Sequence, residues 1–253
     1  MEIIMLTLEN IGLTFGNQRT GPIFSDLNFT VDAGAFIMIL GGNGAGKTSL
    51  FNIISGAQQP DTGRVFLCGE DITALSQEKR ARLVAMVSQD PKSGTMASMT
   101  LEENLSLAFN RGERRGFQRA LIPGRRAFFQ DKLSMLGMGL EDQLTVLAGA
   151  LSGGQRQALS LIMALLVPSK ILLLDEITAA LDPQMAKTVM DIALRVVTIE
   201  KRTTLMITHN MSHALAYGDR TVILEKGHLT RFFSKQDRQS MTALDFAQIL
   251  GEA

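Results

Sequence analysis

Nine residues, Gly41 to Ser49 (GGNGAGKTS), carry the densest chemical signal in the chain. Gly41, Gly46, Lys47 and Thr48 fit the spacing G-x-x-x-x-G-K-[ST] of a phosphate-binding loop. Its glycines let the main chain curl through Asn43, Gly44 and Ala45, so that several N–H groups face one anion. A helix starting at Lys47 adds the positive end of its dipole. Lys47 is suited to reach the β and γ phosphates of a nucleotide, and the Thr48 hydroxyl to join the shell of a Mg²⁺. Ser49 supplies a second hydroxyl.

Two further groups fit hydrolysis of a phosphoanhydride. Ile171-Leu172-Leu173-Leu174-Asp175-Glu176 ends an apolar run on two carboxylates. Asp175 suits Mg²⁺, directly or through water. Glu176, one residue on, should point elsewhere and can polarise an attacking water. Alone, both would read as strand-end surface acids; beside a phosphate loop they read as machinery. Leu151-Ser152-Gly153-Gly154-Gln155-Arg156-Gln157 puts a serine and two glycines at a helix start, a second anion-binding nest. The first nest already serves the β and γ phosphates, so the second is assigned to a nucleotide bound by another copy.

These groups need elements to hold them. Ile3 to Leu8 and Phe24 to Val31 read as strands, with a loop over Gly12 to Gly21. Phe36 to Leu40 is apolar throughout, as a covered central strand is. Lys47 to Ile54 reads as a helix, and Val65 to Leu67 and Leu83 to Val87 as short strands. Cys68, the only cysteine, reads as a small apolar residue of the first of these, with no disulfide available to it. From Thr100 to about Leu147 the pattern turns helical. Ser152 can cap a helix to about Val167, with Gln155 at the reciprocal position. Asp182 can cap another that begins at Pro183 and runs to about Glu200. Thr204 to Ile207, Arg220 to Leu224 and Leu229 to Phe233 read as strands, and Asp237 to Leu250 as one final helix.

Composition excludes some classes. Lysine plus arginine and aspartate plus glutamate are 25 each over 253 residues, so net charge gives no global pull toward nucleic acid or anionic membrane. The start, MEIIMLTLEN, lacks the basic residues of a signal peptide. The longest apolar run, Leu159 to Val167, is too short to span a bilayer. His213 and His228 have no partners at a metal-ligand spacing and read as surface or turn residues.

A phosphate loop alone fits kinases, small GTPases and many ATPases. The set together resembles the nucleotide-binding subunit of an ATP-binding cassette transporter, with motifs in family order over nearly the whole chain. Phe15 stands where that family stacks an aromatic ring on adenine. Gly41 to Ser49 matches its Walker A loop, and Gln89 the glutamine that senses Mg²⁺ and the γ-phosphate. Leu151 to Gln157 matches the signature, and Asp175 and Glu176 the Walker B aspartate and catalytic glutamate. Ala180-Leu181-Asp182 matches a loop that crosses the dimer interface, and His209 the switch histidine. Gly42, Ile177 and Ala180 stand where proline, proline and serine are commoner, and Thr48-Ser49 reverses the usual order.

The resemblance implies an α/β fold: a P-loop NTPase core, an antiparallel N-terminal β subdomain and an inserted helical subdomain near 100–168, all in one nucleotide-binding domain over 1–253. It implies ATP and Mg²⁺ as cofactors and a head-to-tail dimer of identical or closely similar subunits. In that dimer Ser152, Gly153, Gly154 and Gln155 complete the partner's site; Glu176 is general base, with His209, Lys47 and Gln89 assisting. It further implies an integral membrane permease, with a substrate-binding protein in an importer, and a peripheral position on the cytoplasmic face of the inner or plasma membrane. No nucleic acid is expected.

Asp175 to Pro183, Ile207 to Met211 and Leu159 to Ala164 resemble a small-solute importer branch associated with amino acids. Export, lipid extraction, ATPase work on nucleic acid and a silent interaction module are the competing readings. Arg111, Arg114, Arg115, Arg119, Arg125 and Arg126 form a basic stretch opposed by Glu113, either a solvated loop or a face toward lipid phosphates or a permease. Met96, Met99 and Thr100 are candidates for the edge of a permease-coupling groove, with Met86, Met135 and Met138 as adaptable packing or core.

Overall fold

The computed structural model describes residues 3–14, 21–112, 124–179 and 181–251. A four-stranded antiparallel sheet has the order β2-β1-β4-β5, with β1 (Ile4–Thr14), β2 (Pro22–Asp32), β4 (Thr62–Leu67) and β5 (Glu70–Asp71). A six-stranded sheet has the order β10-β9-β3-β8-β7-β6. Its strands are β3 (Phe36–Leu40), β6 (Val84–Val87), β7 (Ile171–Asp175), β8 (Thr203–Ile207), β9 (Arg220–Glu225) and β10 (His228–Ser234). All its pairings are parallel except β10 against β9.

Strand periodicity distributes the core. Ile37 and Ile39 of β3 face one way, with Ile171, Leu173, Leu205 and Ile207, onto the small sheet and helix α1 (Lys47–Ser55). Met38 faces the other way, with Leu172, Leu174 and Met206, onto the helical layer. Each fully buried aliphatic side chain in these strands contributes about 1.5–3 kcal/mol. Covering both faces is what permits a continuous apolar strand such as β3, buried at every position. The second helix, α2 (Gln77–Arg80), places Arg80 under α1, where its guanidinium donates to the carbonyls of Ile53 and Ile54 at 2.6 and 3.0 Å.

The helical layer comprises α3 (Leu101–Phe109), α4 (Arg125–Ser134), α5 (Gly153–Leu165) and α6 (Pro183–Glu200). Thr100 and Glu103 close a capping box at the start of α3. Leu105, Phe129, Leu133 and Leu161 bring α3, α4 and α5 into one core. Two of the arginines are structural here. Arg111 donates to the carbonyls of Ala164 and Val167 at the end of α5, at 3.4 and 3.2 Å. Arg125 lies 4.5 Å over the Phe109 ring. Arg126 stands 3.9 Å from Glu102. Arg114, Arg115 and Arg119 lie outside the described residues.

Three sequence expectations are corrected. The final helix is two: α8 (Lys235–Arg238) and α9 (Ala243–Leu250), following α7 (Met211–Ala216) and the β9–β10 hairpin. Ser234 with Asp237, and Thr242 with Asp245, each make a capping box, and the second box starts a new helix. Cys68 is not in a strand; it is exposed in the β4–β5 turn at φ 52°. β1 also runs past Gly12, which was expected to open a loop, because Gly12 pairs with Thr62.

Candidate active site

β3, β8, β7 and β6 run parallel, so their carboxyl ends lie along one edge of the sheet. That edge carries the phosphate loop after β3, Asp175 and Glu176 at the end of β7, His209 after β8 and Gln89 after β6. Open parallel sheets bind ligands at this edge.

The phosphate loop is held from within its own chain. A Cβ at Gly41 would lie 2.3 Å from the Leu224 carbonyl oxygen, so only glycine lets the loop lie against β9. Gly46 caps α1 at φ 102°, with no side-chain cap on the N-terminal amides. The Gly227 N–H, in the β9–β10 turn, donates to the Ala45 carbonyl at 3.2 Å. Lys47 is buried, and its ammonium donates to the carbonyls of Gly41 and Gly42 at 2.7 and 3.0 Å. Asn43, Gly44 and Thr48 are exposed, whereas Ala45 and Ser49 are buried. Of the two adjacent hydroxyls, Thr48 is therefore the accessible one.

Asp175 is 6% exposed. Burial, and then the neighbouring Glu176 charge, raise its pKa to about 6 against the opposing pull of Lys47. Glu176 turns off the strand into the left-handed region at φ 46°, a strained conformation for a non-glycine residue. Its N–H donates to the Ile207 carbonyl at 3.1 Å, and its carboxylate Oε1 lies 2.5 Å from His209 Nε2. The adjacent Thr208 N–H donates to the Ile39 carbonyl at 3.2 Å, tying the histidine's segment to β3. Gln89 is exposed just beyond β6.

Ser152 is the N-cap of α5. Its hydroxyl accepts from Gln155 N–H at 3.3 Å, and Gln155 Oε1 accepts from Ser152 N–H at 3.1 Å. Gly153 is exposed, whereas Gly154 is buried, and a Cβ there would lie 2.1 Å from Met185 Cγ on α6. Asp182 caps α6, accepting from Met185 N–H at 3.0 Å. α5 packs with α3, α4 and α6 on the face of the sheet opposite α1. Phe15 and Ala180 lie outside the described residues.

Sequence reasoning missed three supports. Arg156 donates to the Thr95 carbonyl at 3.1 Å and to its hydroxyl. Gln157 donates to the Ser88 carbonyl at 3.1 Å. These tie α5 to the segment on both sides of Gln89. Gly227 was legible only as a turn. Nothing local in the sequence marks such contacts, since each spans more than sixty residues.

The residues fit a magnesium-bound nucleoside triphosphate. A buried carboxylate at Asp175, an exposed hydroxyl at Thr48 and an amide at Gln89 are hard oxygen donors of the kind Mg²⁺ takes. The uncapped amides of α1 and the Lys47 charge suit phosphate.

Comparison with known proteins agrees. The family model described as ABC transporter matches residues 24–179. A tyrosine transport ATP-binding protein of Clostridioides difficile (strain R20291) is 40% identical over 240 residues, covering 94% of this chain and 95% of that protein. The Fe(3+) ions import ATP-binding protein FbpC of Escherichia coli (strain K12) is 30% identical over 251 residues, covering 97% and 67%. Among solved structures, the dimeric post-hydrolysis state of the ATP-binding cassette MJ0796 bound to ADP and Pi superposes with a TM-score of 0.79 at 24% identity, over 91% of this chain and 99% of that one. The chain belongs to the ABC transporter family as an ATP-binding cassette. It is an ATPase, the ATP-binding subunit of a transporter, on a P-loop NTPase fold.

Proposed function

We propose that the whole chain, 1–253, acts as one nucleotide-binding domain, with residues near 100–168 as its helical subdomain, and that two copies close head to tail on ATP. Each ATP then lies between the phosphate loop of one copy and Ser152 to Gln155 of the other. The asymmetry of the two nests supports this. The phosphate loop is braced by its own chain, whereas the Ser152–Gly153 turn is exposed.

In this reading Lys47 and the loop amides bind the β and γ phosphates. Thr48, Asp175 and Gln89 would hold Mg²⁺, which would supply positive charge to offset that of the phosphates. Glu176 accepts a proton from the attacking water. His209 keeps that carboxylate oriented and contacts the γ-phosphate. The observation that carries the reading is the 2.5 Å contact between His209 and Glu176, at the strand edge that also bears Asp175 and the phosphate loop. It is tested by ATP hydrolysis with Glu176→Gln: turnover lost with nucleotide binding retained is expected, and undiminished turnover would reject it.

The partner is an integral permease, which would hold this subunit at the cytoplasmic face of the membrane. No helix among the described residues is long and apolar enough to cross a bilayer itself. Met96 and Leu147 are half exposed, on two segments joined by main-chain bonds from Ala148 to Met99 and from Gly149 to Ala97. They are candidates for the docking edge. The cargo is a small solute taken up with a binding protein, of amino-acid type; the 40% identity to a tyrosine transport protein supports that class. Purification from gently solubilised native membranes tests it, with a small multi-span permease expected. Nucleic acid or ribosomal proteins in its place would move the chain to another branch of the fold.

A further inference from the structure

The switch histidine stands two residues ahead of α7, and α7 is only six residues long. So short a helix has little stability of its own; its direction is set by what grips it. Its N-terminal end is capped by Asn210, whose side chain accepts from His213 N–H at 3.1 Å. Its other end is gripped by Arg238, from α8. The Arg238 guanidinium Nη1 donates to the carbonyls of Ala214, Leu215 and Tyr217 at 2.6, 3.0 and 2.5 Å, and Nη2 to that of Gly218. These are the carbonyls that a helix end leaves without partners. Thr221 adds a hydroxyl donor to Ala214 at 2.7 Å.

Arg238 is 4% exposed, so the grip is made inside the protein. The Ser234–Asp237 capping box fixes the helix that carries it. Alongside, Ala214 packs with Phe246 of α9, with Ile223 of β9 and with Leu40, the residue before Gly41. The far end of α7 is thus locked to the C-terminal helices, and its near end leads to the His209–Glu176 contact. A tilt of α7 about Ala214 would be felt at that contact, where displacements below 1 Å alter rates.

We propose that Arg238 is a positioning residue for ATP hydrolysis: by gathering the carbonyls at the end of α7, it holds His209 against Glu176, and the segment from Ser234 to Leu250 is the support of the switch. This rests on the assignment of His209 and Glu176 made above. The guanidinium is suited to the task because its rigid fork satisfies several carbonyls at once, which a lysine ammonium cannot do in the same geometry.

The test is steady-state and single-turnover ATP hydrolysis by the full chain with Arg238→Gln, Arg238→Lys, His209→Ala and the Gln/Ala double variant, beside equilibrium ATP titration. Arg238→Gln is expected to lower kcat about tenfold, with KM and ATP affinity within about twofold of the parent, and Arg238→Lys to fall between. In the His209→Ala background, Arg238→Gln should leave the residual rate unchanged, because its route is already cut. An unaltered kcat, a loss carried by KM, or an equal proportional loss with and without His209 would overturn the proposal. Should Arg238→Gln fail to fold, Arg238→Lys is read alone: a several-fold lower kcat at unchanged KM supports it, and parental kcat overturns it. If His209→Ala alone hydrolyses ATP at the parental rate, the assignment of His209 has failed, and the proposal with it; none of the Arg238 variants can produce that result.

Discussion

The two anion nests of this chain are built differently. The Gly41 to Ser49 loop is braced at three points: Gly41 against Leu224, Ala45 by the Gly227 amide, Lys47 on two loop carbonyls. The Ser152 turn is capped by its own Gln155, with Ser152 and Gly153 exposed and Gly154 against Met185. One is a finished surface for phosphate; the other has the geometry of half a surface. Under the proposed head-to-tail pairing, closure of two copies would be the event that assembles the site, and nucleotide occupancy would be read out as movement.

The comparison can be broken first at the finished nest. Lys47→Ala removes a charged donor from the phosphates, and ATP affinity should fall on the order of 100-fold by equilibrium titration. Unchanged affinity would end the phosphate assignment. Glu176→Gln should cut turnover about 10²- to 10⁴-fold, the usual contribution of a positioned base, while ATP affinity stays near parental. A turnover loss matched by an affinity loss would place Glu176 in binding.

Gly41→Ala asks whether the bracing matters. Its methyl meets the Leu224 carbonyl, and denaturant unfolding should show a loss of about 1–3 kcal/mol, the cost of overpacking. Full stability would mean that the loop yields easily.

The smallest effect lies at the support of α9. Asp245 has its pKa lowered by hydrogen bonds from Thr242. A depressed folded value stabilises above the unfolded pKa, and that stability disappears as pH falls through the folded value. Thr242→Ala removes the side-chain part of that bonding and leaves the main-chain N–H in place, so it should lower stability modestly at neutral pH and by progressively less as pH falls through the folded Asp245 value. A pH-independent difference would deny the cap its charge.

The sequence announced what is local. The phosphate loop, the buried runs of β3 and β7 and the Ser152 and Asp182 caps each lie within a few residues and obey one period or one motif. What escaped was contact between distant segments: Arg80 under α1, Arg156 on Thr95, Gly227 on Ala45, Arg238 on α7. The split of the last helix was legible in part, since Ser234-x-x-Asp237 and Thr242-x-x-Asp245 are two start signals eight residues apart. Cys68 followed an apolar strand and so read as its continuation, although Gly69 next to it marked the turn.

The central claim is that the exposed Ser152 nest completes the partner's site. It is tested most directly by solution mass, from light scattering on size-exclusion chromatography with ATP and Mg²⁺, comparing Glu176→Gln with Glu176→Gln/Ser152→Arg. The account predicts a dimer for the first and an ATP-bound monomer of equal nucleotide affinity for the second. A dimer that survives Ser152→Arg, or a Glu176→Gln variant that binds ATP and stays monomeric, would contradict it.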